Sequence, residues 1–391
     1  MTQRSIRRIY MDYQASTPVD PRVQKAMLPY FSEKPGNPHA SDHSFGWEAN
    51  AAIESAAMKI AQSINADPDE IIFTSGATEA NNLLLLGAAA HGKNGKRKRL
   101  ITSPVEHKSV LDTVYYAADT FGYKVEMVPV STSGVLDLSE LEKMLDDDVL
   151  LVSAISVNNE IGTSQHLSRI SQSCRKYGSL FHTDSVHLLP TTAIDVQKNG
   201  IDAMSLSAHK IYGPKGVGAL YIKRSIQSMI TPLFYGGGQQ NGLRPGTLPV
   251  GLCVGLGEAI QLFDGDAGVQ ERQRVREQRD KFVEGLTNAD LSICANGSSG
   301  QFDHPGNANI SFSGVDAHEL LGTLQPTLAA ATGSACTSGS IEASHVLRAL
   351  RLGQEVAQSS VRFSIGRFTT DDEIDEAALL VSQAVKELTA F

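Results

Sequence analysis

The chain has 391 residues, 41% of them hydrophobic, with 34 glycines and a formal net charge of −9, which suits one large and one smaller domain around sizeable cores. The acidic balance argues against a general nucleic-acid binder, whose footprint would be basic, and no apolar run approaches the ~20 residues of a membrane span. The opening Met-Thr-Gln-Arg-Ser-Ile-Arg-Arg leads into no apolar segment, so no secretory signal is expected and the chain is read as cytoplasmic.

Between about residues 70 and 225, short β-branched runs alternate with helical stretches. Strands are expected at Ile71–Ser75, Arg99–Ser103, Val125–Val130, Val149–Val157, Leu180–Asp184, Ala203–Ser207 and Val217–Lys223. Helices are expected at Thr78–Ala90, Lys108–Phe121, Ser139–Leu145 and Leu167–Tyr177. Several of the strands are apolar on both faces, the pattern of a mostly parallel sheet covered by helices, whose sites gather at the carboxyl ends of strands. The basic run Lys93–Arg99 reads as a solvated loop. Beyond about residue 263 the character changes to a charged amphipathic helix (Val269–Leu286), short strands near Asn309–Ser313 and Val361–Ile365, and a closing helix from Asp371. The expected organisation is an α/β chain with a large domain over residues 21–263 and a smaller α+β domain over 264–391. The first 20 residues pack on the smaller one.

Four cysteines, Cys174, Cys253, Cys294 and Cys336, lie far apart and form no CxxC pair, which argues against disulfides and a four-ligand zinc site. The first three read as buried small hydrophobes. Cys336 differs, because Gly, Ser and Thr surround it.

The candidate chemistry starts at Ser205–Gly216, where an apolar run ends in Ser207, His209 and Lys210 before turning on Gly and Pro. Desolvation there disfavours the ammonium, and an available amine suits a Schiff base with a carbonyl cofactor, pyridoxal phosphate above all. Upstream, Ile-Ile-Phe-Thr-Ser-Gly76-Ala77-Thr78-Glu79 runs strand, tight turn and helix start, whose unpaired amides fit a phosphate. No GxxxxGK[ST] is present, so P-loop nucleotide binding is disfavoured. Ser207 and His209 could add donors to the same phosphate. Asp184 closes a strand, where a carboxylate can pair with a protonated pyridine nitrogen or simply cap the next helix. His107 also follows a strand and either stacks on a cofactor ring and moves protons or serves as a helix N-terminal histidine.

These segments, together with Met11–Pro18, Asn158–Thr163, His182–Asp184, Gly236–Thr247, Gly333–Gly339 and Ser360–Ser364, resemble the PLP-dependent cysteine desulfurases over essentially the whole chain. The resemblance implies PLP fold type I, the aspartate-aminotransferase-like fold, with a mostly parallel seven-stranded sheet, and homodimers whose active sites lie at the subunit interface. It implies that Lys210 holds the cofactor and moves the substrate's Cα proton. Thr78, Ser207, His209 and the Ala77 amide would bind its phosphate, and Thr247 would reach the phosphate held by the other subunit. Asp184 would pair with the pyridine nitrogen and His107 would stack on the ring. Asn158 and Arg362 would hold the substrate carboxylate, for which a guanidinium fork is the matching shape. Cys336, in the Gly/Ser/Thr-rich segment 331–344, would accept the sulfur as a persulfide and present it to acceptor proteins. A long segment of this composition reads as a mobile loop and resembles the first group of the family, which serves iron–sulfur assembly and tRNA thiolation.

The chain departs from the family pattern in several places, one of them Arg351, which stands where a glycine is frequent. His187 stands where the family usually has glutamine; either can donate to the cofactor's phenolic oxygen, but a histidine is expected to titrate near neutral pH. Arg244-Pro245-Gly246-Thr247 replaces the usual Arg-Ser-Gly-Thr, and Glu342-Ala343-Ser344 the usual Glu-Pro-Ser. The expected activity is L-cysteine to L-alanine with sulfur delivered for iron–sulfur assembly, tRNA thiolation or DNA phosphorothioation. Rival readings are transamination or selenocysteine lysis on the same fold, and a scaffold acting through complex formation. No resident metal is expected, Cys336 being the one residue that could transiently ligate a cluster.

Overall fold

The computed structural model describes residues 8–298, 300, 303–332 and 344–390. After β1 (Ile9–Tyr10), seven strands build the main sheet: β2 (Ile71–Thr74), β3 (Arg99–Thr102), β4 (Lys124–Met127), β5 (Val149–Ser153), β6 (Leu180–Asp184), β7 (Ala203–Ser207) and β8 (Gly218–Ile222). Their order is β2-β8-β7-β6-β5-β3-β4. β8 alone runs antiparallel to its neighbours, and the remaining pairs are parallel. A parallel return needs a crossover of about a dozen residues or more. The link from Ser207 to Gly218 is shorter than that, so the chain turns back on itself and carries Lys210 in the turn.

Helices cover both faces. Ala77–Gly92 and Lys108–Phe121 bury Leu83, Leu84, Val110 and Val114 in one core with Leu100 and Leu220. Ser44–Ile64 and Val250–Gln261 bury Ile60, Ile64, Leu256 and Ile260 on the other side. The sequence reading missed these last two helices. Their inward faces are largely alanine and glycine, and such small residues give a weak apolar stripe.

The second body is the antiparallel sheet of β9 (Ile293–Ala295), β10 (Asn307–Phe312) and β12 (Ser360–Ser364), with β11 (Leu328–Ala329) beside it. Helices Gly265–Asn288 and Asp371–Thr389 cover it, and Phe363 packs on Phe282 and Phe312 with ring centroids 5.0 and 6.3 Å apart. β1 pairs in parallel with β11, and Ile9 and Met11 bury in the same core as Phe363.

Two readings need correction. Cys174 and Cys253 are buried, and burial pushes both thiols up to about 12, but Cys294 is exposed because β9 is the sheet's edge strand. The run Lys93–Arg99 is only partly solvated. Arg97 donates to the carbonyls of Val149 (2.6 Å) and Tyr177 (2.9 Å), and Arg99 lies in β3, paired with Glu126 and Asp146.

His182 shows how polar groups are held inside the sheet. Its ring is fully buried and bridges two neighbouring strands, Nδ1 to Ser153 Oγ of β5 (2.8 Å) and Nε2 to Ser205 Oγ of β7 (3.0 Å). Burial lowers its pKa to about 3. The unfolded chain takes up this proton near pH 6.5 and the folded chain does not, so stability present above pH ~6.5 is lost as pH falls. We predict that His182 alone removes about 2 kcal/mol between pH 6.5 and 5. Urea unfolding of His182→Gln should show a correspondingly shallower pH slope, and an unchanged slope would refute the assignment.

Candidate active site

A cavity of about 630 Å³ opens at the carboxyl ends of the central strands. Gly76 to Thr78, His107, Asp184, Ser207, His209, Lys210 and Arg362 all line it. One end is built by the turn after β2. Gly76 has φ +153° and ψ −179°, a conformation that side chains rarely adopt, and it starts the helix at Ala77. On β8, a Cβ at Gly218 would come within 2.7 Å of Gly76 Cα and 2.4 Å of Leu206 O. Glycine at 218 therefore lets β8 and this turn approach. Glu79 in the first helical turn accepts from Ser75 N (2.7 Å) and pairs with Arg244 (2.7 Å). Burial raises its carboxyl, but Arg244 and Ser75 outweigh that and leave it lowered. The Gln240 amide accepts from Phe73 N (2.6 Å) and donates to Phe73 O (2.9 Å), fastening segment 239–247 to β2.

Lys210 projects from the end of β7, and its Nζ donates to the carbonyls of Gln14 (2.6 Å) and Ala15 (2.9 Å). The same strap binds the flanking residues. Thr17 N and Oγ1 donate to His209 O (2.9 and 3.0 Å), and Thr17 Oγ1 accepts from Tyr212 N (2.8 Å). Ser16 Oγ lies 3.3 Å from His209 Nδ1. Burial, with the charges of Lys210 and Lys215 adding, lowers His209 to about 4. Segment 12–17 was legible as a motif, but its part in holding Lys210 was not.

Asp184 and His107 are joined by side chains that sequence reasoning missed. Asn81 Nδ2 donates to Asp184 Oδ2 (2.8 Å) and to Ser109 Oγ (2.8 Å), and Ser109 Oγ lies 2.7 Å from His107 Nδ1. Ser109 N also donates to that Nδ1 (3.1 Å), so His107 caps its helix, and the neutral ring carries its proton on Nε2. Both readings of His107 hold at once: it is a helix cap and it lines the cavity.

His187 is 1% exposed, and its Nε2 has no partner among the described residues. Burial, followed by the charges of Lys210 and the neighbouring His304, holds it well below the usual histidine range. The expectation that it titrates near neutral pH is therefore corrected: the ring is neutral there. Asn158 is fully buried and off the cavity wall. Its Oδ1 accepts from the amides of Glu160 (2.8 Å) and Ile161 (3.0 Å), and its Nδ2 donates to Val105 O (2.8 Å). Asn159 lines the cavity instead, and its carbonyl accepts from Arg362 Nη1 (2.8 Å). Thr247 is exposed and does not line this cavity.

Cys336 lies outside the described residues, but both flanks of its segment are visible. Ala331 exchanges backbone hydrogen bonds with Arg362 (3.1 and 2.7 Å). On the other side Ser344 Oγ donates to Glu160, and His345 Nε2 meets the Glu106 carbonyl at 2.9 Å. Glu106 and Glu160 are buried carboxyls. Burial raises Glu106 to about 8, with the Asp184 charge adding, and burial raises Glu160 against the pull of Ser344, His345 and Arg362. Among the described residues no cluster of His, Cys, Asp and Glu could hold a metal ion, and no helix is long and apolar enough to cross a membrane.

The same fold is found in known proteins. Cysteine desulfurase IscS of Rickettsia felis is 46% identical over 382 residues, covering 97% of this chain and 92% of that protein. A solved NifS-like protein superposes with a TM-score of 0.88 at 34% identity, covering 98% of this chain and all (100%) of that one. SspA in complex with cysteine gives 0.81 at 35% identity over 93% of this chain and 100% of that one. DndA from Streptomyces lividans gives 0.76 at 37% identity, covering 90% and 97% of the two chains. The profile of the aminotransferase class-V family matches residues 9–377, nearly the whole of the described fold, and the chain belongs to that family.

Proposed function

We propose that this chain is a PLP-dependent cysteine desulfurase that converts L-cysteine to L-alanine and collects the sulfur on Cys336. One observation carries the reading. A single cavity is lined by an amine, a buried carboxylate, a helix start and a buried guanidinium; one visible flank of the Cys336 segment is bonded to Arg362 on its wall and the other to Glu160, next in sequence to the wall residue Asn159. Cys336 is five positions along the chain from Ala331, so its Cα can lie no more than about 18 Å from that anchor on Arg362.

The residues fit pyridoxal phosphate. The helix start at Ala77, with Thr78, Ser207 and His209, supplies donors for a phosphate at one end. Asp184 is 2% exposed and fixed by Asn81, an acceptor suited to a protonated ring nitrogen. The unpartnered His187 Nε2, in the tautomer that protonates it, would be a donor for the ring's phenolic oxygen. The bound cofactor would supply a carbonyl for the substrate amine and an electron sink for charge left at Cα.

The chain's own groups do the rest. Arg362 orients the substrate carboxylate, with Asn159 at the cavity wall rather than Asn158. The Lys210 amine moves the Cα proton, and the carbonyls of Gln14 and Ala15 receive its N–H groups when it is free. His107, held by Ser109 through Nδ1, would stack on the cofactor ring. The Cys336 thiolate, a few per cent of a free thiol with pKa ~8.5, attacks the substrate Sγ; the S–S bond of a persulfide forms as the Cβ–Sγ bond breaks, its electron pair stays with the three-carbon fragment, and protonation at Cβ lets that fragment leave as alanine. SspA, a structural neighbour, is solved in complex with cysteine, which supports that substrate.

A homodimer accords with the exposed Thr247 and the exposed aromatics Phe234 (51%) and Tyr235 (83%) on the segment before it. Sedimentation at micromolar concentration should give one species at twice the chain's mass, and a monomer retaining full cofactor would exclude a phosphate contact across subunits. The sulfur acceptors are other proteins, in iron–sulfur assembly, tRNA thiolation or DNA phosphorothioation. Tracing labelled sulfur through co-purified partners identifies the branch.

Two tests bear on the site itself. Cys336→Ala should keep the cofactor and its spectral response to L-cysteine while releasing no sulfide; full turnover in that variant would sink the assignment. Because His187 is held neutral, the absorbance of bound cofactor between pH 6 and 8 should titrate alike in the native chain and in His187→Gln. A titration step that disappears in the variant would show that the imidazole ionises after all.

A further inference from the structure

Arg362 lies in the middle of β12, with its side chain 3% exposed. A guanidinium so deep is costly unless it is paired. Its Nη2 pairs with Asp12 Oδ1 at 2.7 Å and its Nη1 donates to Asn159 O at 2.8 Å, while its Nε has no partner among the described residues. Asp12 is itself fixed in place. It bridges in parallel to Ser364, two residues along the strand from Arg362, and its carbonyl accepts from Tyr10 Oη (3.1 Å), Ala15 N (3.0 Å) and Ser16 N (3.3 Å). Arg362 lines the cavity, and Asp12 does not.

We propose that Asp12 is a positioning residue that sets the plane of the Arg362 guanidinium for the substrate carboxylate. This rests on the reading of Arg362 as the carboxylate holder. The guanidinium is planar and carries five N–H groups. Two of its nitrogens are engaged, one by a carboxylate off the cavity wall and one by a main-chain carbonyl, and two such anchors fix a plane. The remaining N–H groups then meet an incoming carboxylate in one orientation, the condition for a two-point contact. The anchor travels with the site, because Asp12 is registered to the strand that bears Arg362. The Asp12 charge also neutralises Arg362 before substrate arrives, so the contribution that matters is its acceptor geometry.

The test separates geometry from charge. Asp12→Ala removes the acceptor and should raise KM for L-cysteine about tenfold or more, the loss falling on KM rather than kcat. Calorimetric binding of L-alanine to the holoenzyme should weaken by the same factor. Asp12→Asn keeps an oxygen acceptor and removes the opposing charge, so it should bind L-alanine at least as tightly as the native chain. Equal losses in the two variants, or unchanged L-alanine binding in Asp12→Ala, would overturn the proposal. So would a lowered melting temperature with kcat and kcat/KM falling in parallel and KM unchanged. Arg362→Ala is the control: if it leaves L-alanine binding intact, the reading of Arg362 itself fails, whatever Asp12 does.

Discussion

The amine of Lys210 rests on two main-chain carbonyls, those of Gln14 and Ala15, and much of the site is arranged around that contact. The strap that supplies them is anchored in the smaller body through Asp12 and Ser364 and in the larger through Thr17, His209 and Tyr212. A reactive amine on a short turn between antiparallel strands would otherwise have the freedom of any lysine side chain. Here the turn, the amine and the substrate-facing strand share one set of hydrogen bonds. Their relative positions are therefore set by backbone geometry rather than by side-chain rotamers.

The polar interior follows the same economy. His182 ties three adjacent strands through two hydroxyls, and Asn81 and Ser109 connect Asp184 to His107. Each of these groups is a hydrogen-bond partner of the next, so the polar side chains of the site orient one another. The exceptions cluster in and around the walls of the cavity: Gln14 Nε2, Asn81 Oδ1, Glu106 Oε2, His187 Nε2 and Arg362 Nε are buried and have no partner among the described residues. Among the buried side chains of the described residues, unmet hydrogen-bonding capacity is concentrated where chemistry is expected.

Much of this was legible in the sequence, for physical reasons. The strands ending in Asp184 and Ser207 announce themselves as apolar runs that stop at polar residues, and the Gly76 turn has the pattern of a strand feeding a helix. What could not be read depends on contacts between distant positions. Asp12 and Arg362 are 350 residues apart, and no local periodicity links them. Asn158 and Asn159 are adjacent and chemically identical, and only the fold decides which one the interior consumes. His187 looked titratable because an isolated imidazole is; the burial that keeps it neutral is a property of the assembled core.

The side chain of Gln240 has a consequence beyond holding its own segment. β2 is the edge of the main sheet, and an open edge is a template for strand addition and aggregation. Gln240 occupies both the N–H and the carbonyl of Phe73, and the N–H of Ile71 is already turned onto Pro68 O. A foreign strand approaching this side finds the Phe73 groups taken by a glutamine that mimics a peptide unit and the Ile71 N–H already used. Strand addition along this edge is thus opposed at its centre, and a contact made there by another chain meets the Gln240 side chain first.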